Sequence, residues 1–227
     1  GDPSLSSRPM QRVLDPLKNI GAKFLTRAGG KLPITVHGTN QALPNDLTLE
    51  VASAQVKSAI LLAGLNTLGH TVLIEPSPSR DHTERMLSHF GAELSMKDVG
   101  DGSRKITLVG QPELTGRKIL IPGDISSAAF IIVGAAITPG SNVEVKNVGI
   151  NPLRTGLLDS LKEMGADLKI LKVRENTNEP VADILIKYKR LKGVTIPADR
   201  APRMIDEYPI LSIAAAVAQG TSVFEGV

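Results

Sequence analysis

The sequence predicts an α/β protein built from repeated strand-and-helix units, with sheets outside and apolar helices inside. Three observations carry this. Helical stretches closing in Gly-Ala recur as VLDPLKNIGAKF, RMLSHFGAEL and LLDSLKEMGADL, with Gly21, Gly91 and Gly165 spaced 70 and 74 residues apart. That period is longer than the roughly 20 to 50 residues of a solenoid unit. A second kind of helical stretch is apolar on nearly every face and leads through Gly into a strand: SAQVKSAILLAGL before GHTVLI, SSAAFIIVGAAI before GSNVEV, and DEYPILSIAAAVA before GTSVFE. A helix with no polar stripe is one buried all round. The strands DLTLEV, NVEVKNV and ADILIKYK alternate apolar with polar residues, as strands with one wet face do.

In chain order the unit reads strand, apolar helix, strand, amphipathic helix, strand, strand. One copy runs from about Leu47 to Leu120 and another from Ile121 to Ile196, with a half copy ahead and a truncated copy behind. In the second copy Leu153, Leu157, Leu158, Leu161 and Met164 form the apolar stripe of the amphipathic helix, opposite Asp159, Lys162 and Glu163. Gly165 then falls where a helix ends. The Pro122-Gly123 pair in RKILIPGDISS breaks the pattern, so a hinge is expected there between a domain over residues 1–121 and another over 122–227.

Composition narrows the function. Among 227 residues, 26 Lys and Arg face 23 Asp and Glu, and no basic run has the density of a nucleic-acid arm. Aromatics are 3% and Trp is absent, which removes the stacking platforms of single-strand binders. Without cysteine there are no disulfides, thiolate metal sites or cysteine nucleophiles. The apolar stretch at 128–137 is far shorter than the roughly 18 to 20 residues that span a bilayer. GDPSLSSRPM carries no signal-peptide pattern, and both ends are expected to be cut. A cytoplasmic monomer that binds neither nucleic acid nor membrane is expected. His37, His70, His82 and His89 lack paired ligand spacing, and neither GxGxxG nor a P-loop occurs, so no metal or nucleotide cofactor is expected.

Three helix starts carry Ser or Arg: SLSSRPM with Arg8, ASAQVKSA with Ser53, Gln55 and Lys57, and SPSRDHTERM with Ser79 and Arg80. Hydroxyls and free N–H groups at a helix start suit an anion, so these loops suggest one anionic ligand site. In RMIDEYPIL, Asp206 and Glu207 precede Pro209. The Asp206 side chain is placed to cap the helix, and a carboxylate fixed beside a cleft also has the geometry of a general base.

Together, GDPSLSSRPM, ASAQVKSAILLAGL, SRDHTERML, PGDISSAAF, NPLRTGLLDSLKEMGADL and RMIDEYPILSIAAAVAQG resemble the 5-enolpyruvylshikimate-3-phosphate synthases, in the bacterial branch with SAQ and RDHTE segments. The resemblance covers essentially the whole chain. It implies the enolpyruvyl transferase fold, an inside-out α/β barrel of βαβαββ repeats, here incomplete at both ends. It also implies transfer of the enolpyruvyl group of phosphoenolpyruvate to the 5-hydroxyl of shikimate 3-phosphate, with no cofactor. By resemblance Ser53, Ala54, Gln55, Ser79, Arg80 and Asp206 bind shikimate 3-phosphate, Ala54 standing where other members carry a second Ser. Arg8 and Gln55 match phosphoenolpyruvate contacts, and Asp206 matches the proton acceptor. The family's Lys-Ser…Arg segment and Lys-Glu…Arg cluster are not in this sequence, so the chain alone is expected to be inactive. UDP-N-acetylglucosamine enolpyruvyl transferase shares the chemistry but uses a cysteine that is absent here. RNA 3′-phosphate cyclase shares the repeats but needs a nucleotide site that the sequence does not offer.

Overall fold

The computed structural model describes residues 2–227, with one unit ending at Arg117 and a second running Lys118–Val227. The first unit opens with a short helix α1 (Pro3–Ser7), started by the Asp2 carboxylate, which accepts the Leu5 N–H at 2.7 Å. Helix α2 (Gln11–Ile20) leads into the antiparallel hairpin β1 (Lys23–Arg27) and β2 (Lys31–His37). A complete repeat follows: β3 (Asp46–Thr48), α3 (Ala54–Gly64), β4 (His70–Glu75), α4 (His82–His89), β5 (Leu94–Asp98) and β6 (Arg104–Val109). Its sheet runs β3-β4-β6-β5, with β3 parallel to β4 and the other neighbours antiparallel. Val56, Ile60 and Leu61 of α3 pack with Leu73, Leu87, Ile106 and Leu108 to make the core. Each such side chain contributes about 1.5 to 3 kcal/mol by leaving water.

Residues 112–122 form neither helix nor strand. The second unit continues with α5 (Ile125–Ile137), β7 (Asn142–Gly149), α6 (Gly156–Glu163), β8 (Asp167–Asn176) and β9 (Glu179–Lys187), in a sheet ordered β7-β9-β8. The strand expected ahead of α5 is reduced to a single parallel bridge, Gly123 to Val148. Pro122 has no N–H to give a ladder, and a Cβ on Gly123 would lie 2.9 Å from the Asn147 carbonyl, so only glycine makes this approach. The last elements are β10 (Thr195–Ile196), α7 (Tyr208–Val217) and β11 (Val223–Phe224), with β10 parallel to β11.

All three Gly-Ala sites close a helix in the same way. The N–H groups of Gly21, Gly91 and Gly165 reach the carbonyls of Lys18, Ser88 and Lys162, and those of Ala22, Ala92 and Ala166 reach Leu17, Leu87 and Leu161. The glycine φ values are +112°, +98° and +86°, a left-handed conformation in which a Cβ is strained. The repeat in the sequence is thus a repeat of one terminator.

The apolar helices depart from expectation. They were predicted to be buried all round, yet Phe130 and Ile131 of α5 are 61% and 56% exposed, and Leu62 of α3 and Ile213 and Val217 of α7 are exposed too. A sheet covers one face of a helix, and among the described residues of each unit no barrel closes over the other. Among the described residues no helix is long and apolar enough to cross a membrane.

Candidate functional site

The start of α3 carries most of the expected residues. Ser53 has an extended backbone, and its hydroxyl oxygen caps the helix by accepting the Val56 N–H at 3.4 Å. The cap uses a lone pair and leaves the hydroxyl proton for another acceptor. One residue on, Ala54 and Gln55 line a groove of about 460 Å³ together with Ser58, Arg80, His82 and Thr83. Ala54 offers a methyl group where a serine would offer a hydroxyl. The Gln55 side-chain oxygen accepts from the Arg12 guanidinium at 3.4 Å, which points its amide donors the other way. The Ser58 and Thr83 hydroxyls meet at 2.6 Å and fasten α3 to α4 across the groove floor.

Beneath the groove lies a charged cluster that sequence reasoning missed. Lys57 is 0% exposed, on the inner face of α3. Its ammonium donates to Glu75 Oε1 at 3.2 Å and to the Ser79 carbonyl at 3.2 Å, and it sits 2.8 Å from Glu84 Oε1. Ser79 in turn donates its hydroxyl proton to Glu75 Oε2 at 2.6 Å. Neither carboxylate oxygen of Glu84 accepts a hydrogen bond of good geometry. Burial therefore raises the Glu84 pKa above its ordinary value, although the nearby Lys57 charge pulls it back in part. The only signal in the sequence was a lysine inside an otherwise apolar helix.

The structure thus brings Ala54, Gln55 and Arg80 together around one groove, while Ser53, the N-cap of α3, is not among the residues that line it. Ser79 is adjacent, but its proton is committed to Glu75. Arg8 is exposed at the end of α1, where its own N–H bonds the Leu5 carbonyl, and it does not line the groove.

In the second unit, RMIDEYPIL places its two carboxylates differently. Residues Ile205–Glu207 make one 3₁₀ turn, and Glu207, at the N-cap position of α7, gives the helix no side-chain cap. Asp206 is exposed, whereas Glu207 is 1% exposed. Glu207 accepts a short hydrogen bond from the Ser126 hydroxyl, which itself accepts from Arg154 at 2.6 Å. Arg154 also lies 3.8 Å from Glu207 and 3.7 Å from Asp124. Asp124 is a true helix cap, taking the Ser126 and Ser127 N–H groups at 3.3 and 2.9 Å and the Ser127 hydroxyl at 2.9 Å. Partial burial would raise its pKa, but these donors and Arg154 outweigh burial and hold it below the ordinary value. The segment before Asp206 is pinned to α6 as well. Arg200 forks onto Glu163 with two 2.7 Å bonds, and Arg203 reaches Asp159 at 2.7 Å. Asp206 therefore stands exposed on a turn that is fixed on both sides.

Comparison with known proteins gives this geometry its context. The family model described as EPSP synthase (3-phosphoshikimate 1-carboxyvinyltransferase) matches residues 1–227. The 3-phosphoshikimate 1-carboxyvinyltransferase of Paramagnetospirillum magneticum is 57% identical over 226 residues, and that of Gluconobacter oxydans is 54% identical over 226 residues. In each case all of this chain and 51% of the relative are covered, so the chain spans about half the length of these curated relatives. Among solved structures, EPSP synthase from Acinetobacter baumannii superposes with a TM-score of 0.85 at 50% identity, over 99% of this chain and 50% of that one. The enolpyruvyl transferase NikO from Streptomyces tendae matches with a TM-score of 0.71 at 19% identity, over 95% of this chain and 51% of that one, a likeness of fold alone. With a family model matching from end to end and relatives above half identity over its full length, the chain belongs to the EPSP synthase family and has the enolpyruvyl transferase fold.

Proposed function

We propose that these residues serve, in the full-length protein that carries them, to transfer the enolpyruvyl group of phosphoenolpyruvate to the 5-hydroxyl of shikimate 3-phosphate with release of phosphate. The hydroxyl oxygen bonds to C2 of the enol while a proton adds to its methylene carbon. Loss of a proton from that carbon and departure of phosphate then restore the double bond. On this reading Ser53, Ala54, Gln55, Ser79 and Arg80 of the first unit hold shikimate 3-phosphate. Arg8 and Gln55 face phosphoenolpyruvate. Asp206 of the second unit contacts the shikimate hydroxyls and takes the proton from the attacking one. Both substrates are small and diffusible, which suits a cytoplasmic monomer.

The observation that carries the proposal is the groove at the start of α3. There Gln55 and Arg80, which carry amide and guanidinium donors, line one small cavity with Ala54 of the first turn of α3. A phosphate monoester is recognised by such donors, and arginine binds it in bidentate fashion. The test is phosphate release by the full-length protein. Release with shikimate 3-phosphate and phosphoenolpyruvate, and none when UDP-N-acetylglucosamine replaces the first, is the expected result. The reverse preference would overturn the proposal.

A further inference from the structure

We propose that Lys57 and Glu75 are positioning residues for the anionic substrate, setting the 76–80 loop against the start of α3. The inference rests on the substrate reading above. Three segments meet at the groove: the first turn of α3, the loop after β4, and the start of α4. One ammonium ties all three, since Lys57 of α3 contacts Glu75 at the end of β4, the Ser79 carbonyl within the loop, and Glu84 on α4. It does so at zero exposure, where charge attraction is weakly screened and the geometry is tightly held.

Glu75 divides its two oxygens. Oε1 takes Lys57 and Oε2 takes the Ser79 hydroxyl, so this one carboxylate fixes both the hub and the loop residue beside Arg80. Lys57 faces inward and pairs with carboxylates; it acts on a bound phosphate only through Ser79 and Arg80.

Glu75 and Glu84 provide matched substitutions. Glu75→Gln and Glu84→Gln remove the same charge, and each leaves Lys57 with one carboxylate, so neither strands an unbalanced ion. Glutamine at 75 places an NH₂ where one oxygen was, against either the ammonium or the serine proton, and the loop must move. Glutamine at 84 leaves both loop contacts intact.

The experiment is steady-state kinetics of the full-length protein and both variants, with thermal midpoints measured alongside. Glu75→Gln should raise KM for shikimate 3-phosphate about tenfold, the effect of one charge-assisted hydrogen bond, with kcat and KM for phosphoenolpyruvate within about twofold. Glu84→Gln should leave all three near wild type. Equal behaviour of the two variants would overturn the positioning role while leaving the substrate reading in place. So would a loss of folding in either variant, since that would make the cluster a matter of stability. Wild-type protein with no turnover of shikimate 3-phosphate would overturn the substrate reading itself.

Discussion

Replacing Lys57 by methionine isolates what the buried ammonium does for the fold. Methionine fills a similar volume, so the change is one of charge and leaves little cavity. The ammonium has 0% exposure and lies 3.2 Å from Glu75 and 2.8 Å from Glu84, both also at 0%. Removing one partner of a buried pair costs about 3 to 5 kcal/mol, because the other charge is left without compensation. Here two carboxylates are stranded, and Glu84 already lacks a good hydrogen bond, so the upper part of that range, about 4 to 5 kcal/mol, is expected at pH 8. The penalty must also depend on pH. In the wild type the Glu84 pKa is raised on folding, so its contribution is full below the ordinary glutamate pKa and lost as pH climbs through the raised value. Without Lys57 the raising is stronger. The variant should regain stability on acidification, with a slope of up to about 1.4 kcal/mol per pH unit for each extra proton held in the folded state. The assay is urea unfolding of the full-length protein, followed by circular dichroism at pH 8 and pH 5.5. A loss below about 1 kcal/mol at both pH values, where a stranded buried charge demands several, would refute the reasoning.

Much of the architecture was legible because each repeat ends its helix with the same backbone device. Gly21, Gly91 and Gly165 occupy a conformation that favours glycine, so the 70- and 74-residue spacing was visible without any contact being known. Helix α1 was not foreseen: it is only five residues long and depends on the Asp2 cap more than on any periodicity. The strand expected before Gly123 was overread, since ILIP alternates poorly and its proline cannot donate. At the site, Ala54, Gln55 and Arg80 lie on two helix starts that the sequence marked, and they share a groove. The Lys57 cluster was hidden because its partners lie 18 and 27 positions away, on a strand and on another helix. Asp206 and Glu207 are adjacent, and their opposite burial was not legible in the sequence. In a 3₁₀ turn successive residues point about 120° apart, so one faces solvent while the other enters the core.

Gly156→Ala should lower the thermal midpoint in the way that overpacking by about 1 to 3 kcal/mol does, because the new Cβ would lie 2.9 Å from Cγ of the buried Met204; an unchanged midpoint would mean that Met204 has room to move. Arg200→Ala should cost about 1 kcal/mol or less at pH 7, since Glu163 is 45% exposed. The Arg200 hydrogen bonds hold the Glu163 pKa below its ordinary value, so the stability they give is present above that value and lost as pH falls through the lowered one. The gap between wild type and variant should therefore close in acid, and a gap that widened there would contradict the pairing. The adjacent carboxylates give the sharpest comparison. Glu207→Gln should cost about 1.5 to 3 kcal/mol, because it weakens a buried, charge-assisted bond from Ser126 beside Arg154. Any loss of rate should then follow the loss of folded protein. Asp206→Asn should do the opposite. Asp206 is exposed and asparagine keeps its shape and one side-chain oxygen, so unfolding should barely change, while on the proposed reading loss of the proton acceptor should slow turnover of the full-length protein by about 10² to 10⁴. Measuring kcat and the unfolding midpoint for both variants separates the two roles. A stable Glu207→Gln variant as slow as Asp206→Asn, or an Asp206→Asn variant that turns over at the wild-type rate, would show that the base has been assigned to the wrong carboxylate.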